Sequence, residues 1–334
     1  MSKAEAVRKF ITENKIPDHV PNRTIAQRLY NDNPDYWGKL DATRNMVRYV
    51  RGNYGKSQIK VSINTGFARE NRTPLQAIQE YNLNPVDISI QDYVLPYKKP
   101  LILSDIHFPY HDIDALMLSI EHGVKMGIDS IYLNGDVLDM YQVSRFMRDP
   151  KMMSLSDERD MFLEFVMMLK SEVNVPIVFK MGNHEERWEH YIKRQAPELY
   201  GMNEFLLKSV LKLDEHGIKF VSGRQKAYFG KLLVIHGHEF GESIFSPVNP
   251  ARGLFLKAKC SVLAGHNHQT SSHHENNLKG DSMACFSTGC LSQMTPEYRP
   301  FAYTKWNHGF AIVEIDNDGS FHVDNLRIVN GKVS

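Results

Sequence analysis

From residue 101 onward the chain repeats one rhythm: a short apolar run, a polar cluster, then an amphipathic stretch. The runs are Leu101–Leu103, Ser130–Leu133, Val175–Phe179, Leu232–Ile235 and Ser261–Ala264. They are too short for helices and are bounded by Gly, Asp, Asn or His, so they predict buried strands. Residues 112–126 and 157–171 predict helices. Asp112 would cap the first, and apolar residues at 161, 162, 165, 166 and 169 share one face of the second. Strand, loop and helix in succession predict an α/β fold. Further apolar runs, Phe310–Ile315 and Phe321–Val323, predict late strands.

Upstream the rhythm differs. Residues 1–60 read as helices, with Thr24 capping Ile25–Tyr30, Pro34 forcing a break, and Asp41 capping a helix that runs to Arg51 and stops at Gly52. On that second helix Thr43, Met46, Val47 and Val50 share one face, while Arg44, Arg48 and Arg51 share another. Two short helices, the second with an arginine row, resemble a helix-turn-helix unit. That makes the three arginines candidate nucleic-acid contacts, with protein docking as the alternative. Residues 61–98, punctuated by Pro74, Pro85 and Pro96, read as a connector. It would hold short strands at Ile59–Ile63 and Ile88–Ile90 and a helical turn at Thr73–Glu80. The expected organisation is a basic head (1–60), the connector, and an α/β domain (99–334).

Charge sharpens this division. Residues 1–60 hold 12 Lys/Arg against 6 Asp/Glu, a net of +6, which leaves the rest at −5 in a chain whose total is +1. A basic head on an acidic body points to an anionic partner for the head. No apolar run reaches 18 residues and the first ten residues lack an apolar signal core, so neither a membrane partner nor secretion is expected. Three cysteines, Cys260, Cys285 and Cys290, are too few for a disulfide framework and fit a cytoplasmic setting.

The candidate chemistry lies where the strands end. The five runs lead into Asp105-Ile-His107, Gly135-Asp136, Gly182-Asn183-His184-Glu185, His236-Gly-His238 and Gly265-His-Asn-His268. If strand ends lie side by side along one sheet edge, these clusters converge. Asp oxygens and His nitrogens suit Mn(II), Fe(II) or Zn(II), and Asp136, with two oxygens, can bridge a pair of ions. Two neighbouring clusters read more plainly: Ser272-His-His-Glu275 as exposed loop polarity, and His111 as a histidine near the site.

This ordered set is similar to that of the calcineurin-like metallophosphoesterase superfamily, over about residues 101–334. The resemblance implies a sandwich of two mixed β-sheets flanked by helices, preceded here by a small α-helical domain. It implies two divalent ions, Mn favoured. Asp105, His107, Asp136 and His268 would hold one, and Asp136, Asn183, His236 and His266 the other. His184 would not be a ligand; it would protonate the leaving oxygen or contact the phosphate. Asp105 and Glu185 would orient neighbouring imidazoles.

One departure bears on the substrate. Phosphoprotein phosphatases carry an arginine just after the second motif, whereas here Asp136-Val-Leu-Asp139 runs into Met140-Tyr141. Arg145, Arg187 and Arg252 are candidate replacements, and each is equally an ordinary surface arginine. The stretch through Phe146, with the helical head, resembles phage and prophage members. A diester carries one charge fewer than a monoester, so the missing arginine and the basic head favour a phosphodiesterase acting on DNA or RNA. The alternatives are a phosphomonoesterase, or a nucleic-acid-binding protein with a vestigial metal site.

Overall fold

Side chains of a strand alternate between two faces, so a strand apolar on both needs a covering layer on each side. The five runs are of this kind, and the chain supplies both layers. A computed structural model describes residues 1–52, 90–241, 248–297, 301 and 303–334. The chain divides into two compact units, Met1–Ile88 and Ser89–Ser334.

In the second unit the described strands are β1 (Tyr93–Leu95), β2 (Pro100–Leu103), β3 (Ser130–Asn134), β4 (Ile177–Lys180), β5 (Lys219–Val221), β6 (Ala227–Phe229), β7 (Leu232–Ile235), β8 (Val262–Ala264), β9 (Ser271–Asn276), β10 (Ser282–Ser287), β11 (Gly309–Ile315), β12 (Phe321–Val329) and β13 (Lys332–Val333). They form two mixed sheets, ordered β13-β12-β11-β2-β3-β4-β5 and β1-β6-β7-β8-β10-β9. β2 to β5 run parallel, as do the β7–β8 and β8–β10 pairs.

The pleat assigns the core. Ile102, Tyr132, Val178, Leu232 and Val234 pack between the sheets with Phe229, Leu263 and Val313. Their neighbours Leu101, Leu103, Ile131, Leu133, Ile177 and Phe179 face outward, under α5 (Ile113–Met126) and α6 (Leu155–Glu172). Leu233 and Ile235 lie under α9 (Pro250–Ala258) on the other outer face. Each such buried side chain stabilises by about 1.5–3 kcal/mol. Asp112 caps α5, its carboxylate accepting from the Ala115 N–H at 2.9 Å, and Gly127 at φ 72° ends it. Two further helices, α7 (Glu186–Gln195) and α8 (Leu207–Val210), follow β4.

The first unit holds α1 (Lys3–Glu13), α2 (Asn22–Asp32), α3 (Pro34–Trp37) and α4 (Leu40–Val50). Val7, Ile25, Ala26, Leu29, Trp37 and Val47 make its own small core. Thr43 and Val47 are buried, with Met46 and Val50 packed against that core.

The sequence misplaces several details. Thr24 and Asp41 are not caps; both lie inside first turns, because α2 starts after Pro21 and α4 after Lys39. The connector gives up its C-terminal end, since Tyr93–Leu95 is an edge strand pairing with β6. His273, His274 and Glu275 sit on the edge strand β9 rather than in a loop. The strand at 59–63, the turn at 73–80 and residues 88–89 lie outside the described residues, and Ile90 is not in a strand. No helix among the described residues is long and apolar enough to cross a membrane.

Candidate metal centre

β2, β3 and β4 deliver Asp105–His107, Asp136 and Asn183–His184 from one sheet. β7 and β8 deliver His236 and His266–His268 from the other. The expected single sheet edge is therefore wrong: the clusters meet across the mouth of the sandwich. The loops turn sharply to do so. Asp105, His107, Asp136, His266 and His268 all have positive φ, between 50° and 66°. Left-handed backbone at non-glycine residues is uncommon and collects at functional sites.

Three groups result among the described residues: the triads Asp105–His107–His268 and Asp136–His236–His266, and a third group, His107–Asp139–His184, that shares His107 with the first triad. In the first, Asp105 Oδ1 is 3.0 Å from His268 Nε2, and His107 Nε2 is 3.3 Å from His268 Nε2. Asp105 Oδ1 is buried and, apart from this contact with His268, has no hydrogen-bond partner. In the second, His236 Nε2 lies 3.2 Å from Asp136 Oδ2 and 3.1 Å from Asn183 Oδ1. Asp136 Oδ2 is also 3.9 Å from His107 Nε2, so this carboxylate faces both triads.

The ring nitrogens are pre-assigned by their other partners. His107 Nδ1 donates to Asp139 Oδ2 at 3.1 Å, and His236 Nδ1 donates to the Asn134 carbonyl at 2.8 Å. Each leaves Nε2 with its lone pair turned inward, the usual support for a histidine ligand. Converging lone pairs, an unpartnered buried carboxylate oxygen and an Asn oxygen form a donor set that fits divalent cations. Protonation shows the same demand. Burial pushes His236 down, yet the Asp136 carboxylate outweighs it and raises the imidazole to about 10. Burial and then the His236 charge drive His266 down to about 4. Without an ion the His236 and His268 imidazoles, held protonated by the neighbouring carboxylates, take its place, so cation binding releases protons.

Support beneath the triads is dense. Glu185 is fully buried, and its carboxylate accepts from four backbone N–H groups: Gly182 at 2.8 Å, Asp136 at 3.0 Å, Val137 at 2.7 Å and Leu138 at 3.0 Å. It braces loop backbone and orients no imidazole, contrary to the sequence reading. Asp105 is a triad member whose Oδ2 accepts from the His266 N–H at 2.9 Å, so it too positions a neighbour through the backbone. Gly182 admits no side chain, because a Cβ there would overlap the Asp136 carboxylate and backbone nitrogen. At Gly265 a Cβ would sit 2.6 Å from Asp105 Oδ2.

Sequence reasoning missed two supports. Asp139, three residues past Asp136, holds His107 and faces His184 Nδ1 at 3.4 Å; that spacing was its only signal. Lys180 is buried with no exposure, donating to the Ser222 carbonyl at 2.9 Å and the Gly223 carbonyl at 2.7 Å. It also pairs with Glu239 Oε1 at 3.2 Å. Glu239 in turn accepts from the His236 N–H at 3.2 Å and the Gly237 N–H at 2.7 Å. A lysine at a strand end reads as solvated, so nothing local marks it.

His184 belongs to neither triad. Its Nδ1 donates to the Asp139 carbonyl at 2.8 Å, and its Nε2 faces Arg187 Nη2 at 2.8 Å. Burial lowers its pKa, but Asp136 and Asp139 together raise it above the usual value. Arg187 also donates to the Asp139 carbonyl at 2.7 Å, so of the three candidate arginines this one reaches the centre. Arg145 lies further out, lining a cleft of about 550 Å³ that starts at Asn183 and His266. Arg252 is exposed on α9 and does not line that cleft. His111 packs on Phe108, ring centroids 4.6 Å apart, and does not line it either.

In the head, Arg44 is exposed and Arg48 half-exposed. Arg51 is committed internally, donating to the Val20 carbonyl at 2.6 Å and to Asn22 Oδ1 at 2.8 Å.

A family model for calcineurin-like phosphoesterases matches residues 98–289, more than half of the chain. The chain belongs to that family. It is similar to vacuolar protein sorting 29 of Cryptosporidium parvum, at TM-score 0.38 and 15% identity, covering 71% of this chain and 95% of that one. It is similar to Yfce, a phosphoesterase from E. coli, at TM-score 0.30 and 17% identity over 68% and 98% of the two chains. A dimetal phosphatase from Danio rerio gives TM-score 0.33 and 13% identity over 69% and 96%. No curated protein matches the chain.

Proposed function

We propose that this metallophosphoesterase hydrolyses phosphodiester bonds in nucleic acid. The observation that carries the reading is the cleft beside Asn183 and His266. Its walls present Arg145, Arg187, Lys193 and Arg194 with His190 and His238, against Glu186 as the one acid of the lining among the described residues. A concentrated cationic wall favours a substrate with phosphates beyond the scissile one.

Two ions, with Mn(II) favoured, would be held by Asp105, His107, Asp136 and His268, and by Asp136, Asn183, His236 and His266. When bound they polarise phosphoryl oxygens and lower the pKa of water. The chain's own part is positioning and proton transfer. His184 is held by the Asp139 carbonyl at Nδ1, leaving Nε2 as the atom that donates to a leaving oxygen. A proton on Nε2 conflicts with the Arg187 contact there, since both groups are then donors. A phosphate oxygen entering between them accepts from both, so substrate binding resolves the conflict.

Arg187 also alters the sequence argument. With an arginine at the centre, the missing arginine after Asp136 no longer favours a diester, and a phosphomonoesterase becomes the second reading. A side-by-side assay with Mn(II) separates them: bis-nitrophenyl phosphate and DNA or RNA against nitrophenyl phosphate and a phosphopeptide. Preference for the diesters is expected. Preference for the monoesters with nucleic acid left intact overturns the nuclease reading and leaves the family unchanged. In the head, Arg44 and Arg48 are proposed as a second phosphate-contacting surface, with Arg51 as its internal tie. Salt-independent nucleic-acid affinity counts against that surface.

A further inference from the structure

The cleft wall is mostly one helix. On α7, Trp188, Tyr191 and Ile192 turn inward; Trp188 Nε1 donates to the Phe205 carbonyl at 2.7 Å and Ile192 is buried. Arg187, His190 and Arg194 fall at helical spacing on the cleft side, with Lys193 beside them. From Arg187 to Arg194 the row spans about 10 Å, room for two phosphates of a single strand. Glu186, the acid of the lining, is matched by His238 Nε2 at 3.2 Å.

The same cleft also presents an aromatic ring. Phe146 lines it while 62% exposed, with the Arg145 guanidinium 5.3 Å from its ring centroid. A large exposed aromatic beside a row of cations is the pairing on which unpaired bases stack while their backbone is held. A duplex keeps its bases stacked on each other and cannot offer one to Phe146.

We propose that Phe146 and the α7 row of Arg187, His190, Lys193 and Arg194 form a track for single-stranded nucleic acid leading to the metal centre. The inference rests on the nucleic-acid reading above and deepens it by naming strandedness and path. Phe146 stacks a base next to the scissile phosphate, and the helix holds the phosphates beyond it.

Fluorescence anisotropy of the full-length protein tests this, using labelled single-stranded and duplex oligonucleotides of one length across a salt series. The single strand binds about tenfold more tightly than the duplex, and Phe146→Ala removes about tenfold of that affinity. Lys193→Ala combined with Arg194→Ala lowers the slope of log affinity against log salt by about 1.4. Three results overturn the track: equal affinity for duplex, unchanged affinity and slope in both variants, or a phosphopeptide bound in preference to the oligonucleotide. Hydrolysis by the same protein, read separately, keeps the two claims apart. Binding with these dependences but no diester cleavage refutes the proposed activity and leaves the track. Cleavage without the dependences refutes the track alone.

Discussion

The floor of the cleft and its wall are built by opposite rules. On the floor, charged groups are buried, several in left-handed backbone, and are held by several partners each, as with Glu185 and its four N–H donors. On the wall, His190, Lys193 and Arg194 are exposed on one face of a regular helix. The Lys193–Glu189 pair at 3.6 Å is half-exposed and contributes little. A floor of this kind fixes atoms for chemistry, and a wall of this kind selects what reaches it. Substitution of the triad residues of the floor should therefore abolish turnover, while wall substitutions should rescale affinity.

Asp136→Asn should have the largest effect. It removes the charge that faces both triads, so bound metal and nearly all turnover should be lost, as read by elemental analysis and diester hydrolysis. Full activity with two bound ions would show that Asp136 is not shared. Next is His184→Ala, which should cost about 10²–10⁴ in kcat while metal content is kept. Metal loss equal to that of His236→Ala would place His184 among the ligands. Asp139→Asn should be milder, weakening metal affinity about 10–100-fold through the His107 ring it holds. An unchanged titration would remove Asp139 from the floor.

The smallest effect concerns Glu158, a buried floor carboxyl whose Oε1 accepts from the Met140 N–H at 2.7 Å. Burial pushes its pKa from 4.5 up to about 8. With the folded value raised, the folded state binds the proton more tightly. That stability is fully present below about pH 4.5 and is lost as pH rises through about 8. Glu158→Gln keeps the acceptor and removes the titration. In metal-free protein its Tm should exceed the parent's by several degrees at pH 9, the gap closing by pH 5. A gap independent of pH would mean that Glu158 is not held neutral.

The residues of the two triads were legible because each motif is local: two or three residues past a short apolar run, readable without knowing which strands pair. Pairing itself is non-local, which is why one sheet edge was expected where two sheets meet. Glu185 was misread for the same reason. Its reach to the N–H groups of residues 136–138 depends on β3 and β4 being neighbours. The wall was hidden by averaging: a net −5 outside the head conceals a cationic row confined to one face of α7. Arg51 shows the converse, a residue in the right periodic position that the fold consumes as a tie.

Titration of Mn(II) into the chelated full-length chain by calorimetry tests the two-ion floor most directly. Two ions per chain should bind with proton release, falling to one or none in Asp136→Asn. A single ion in the parent chain, or two in both proteins, would contradict it.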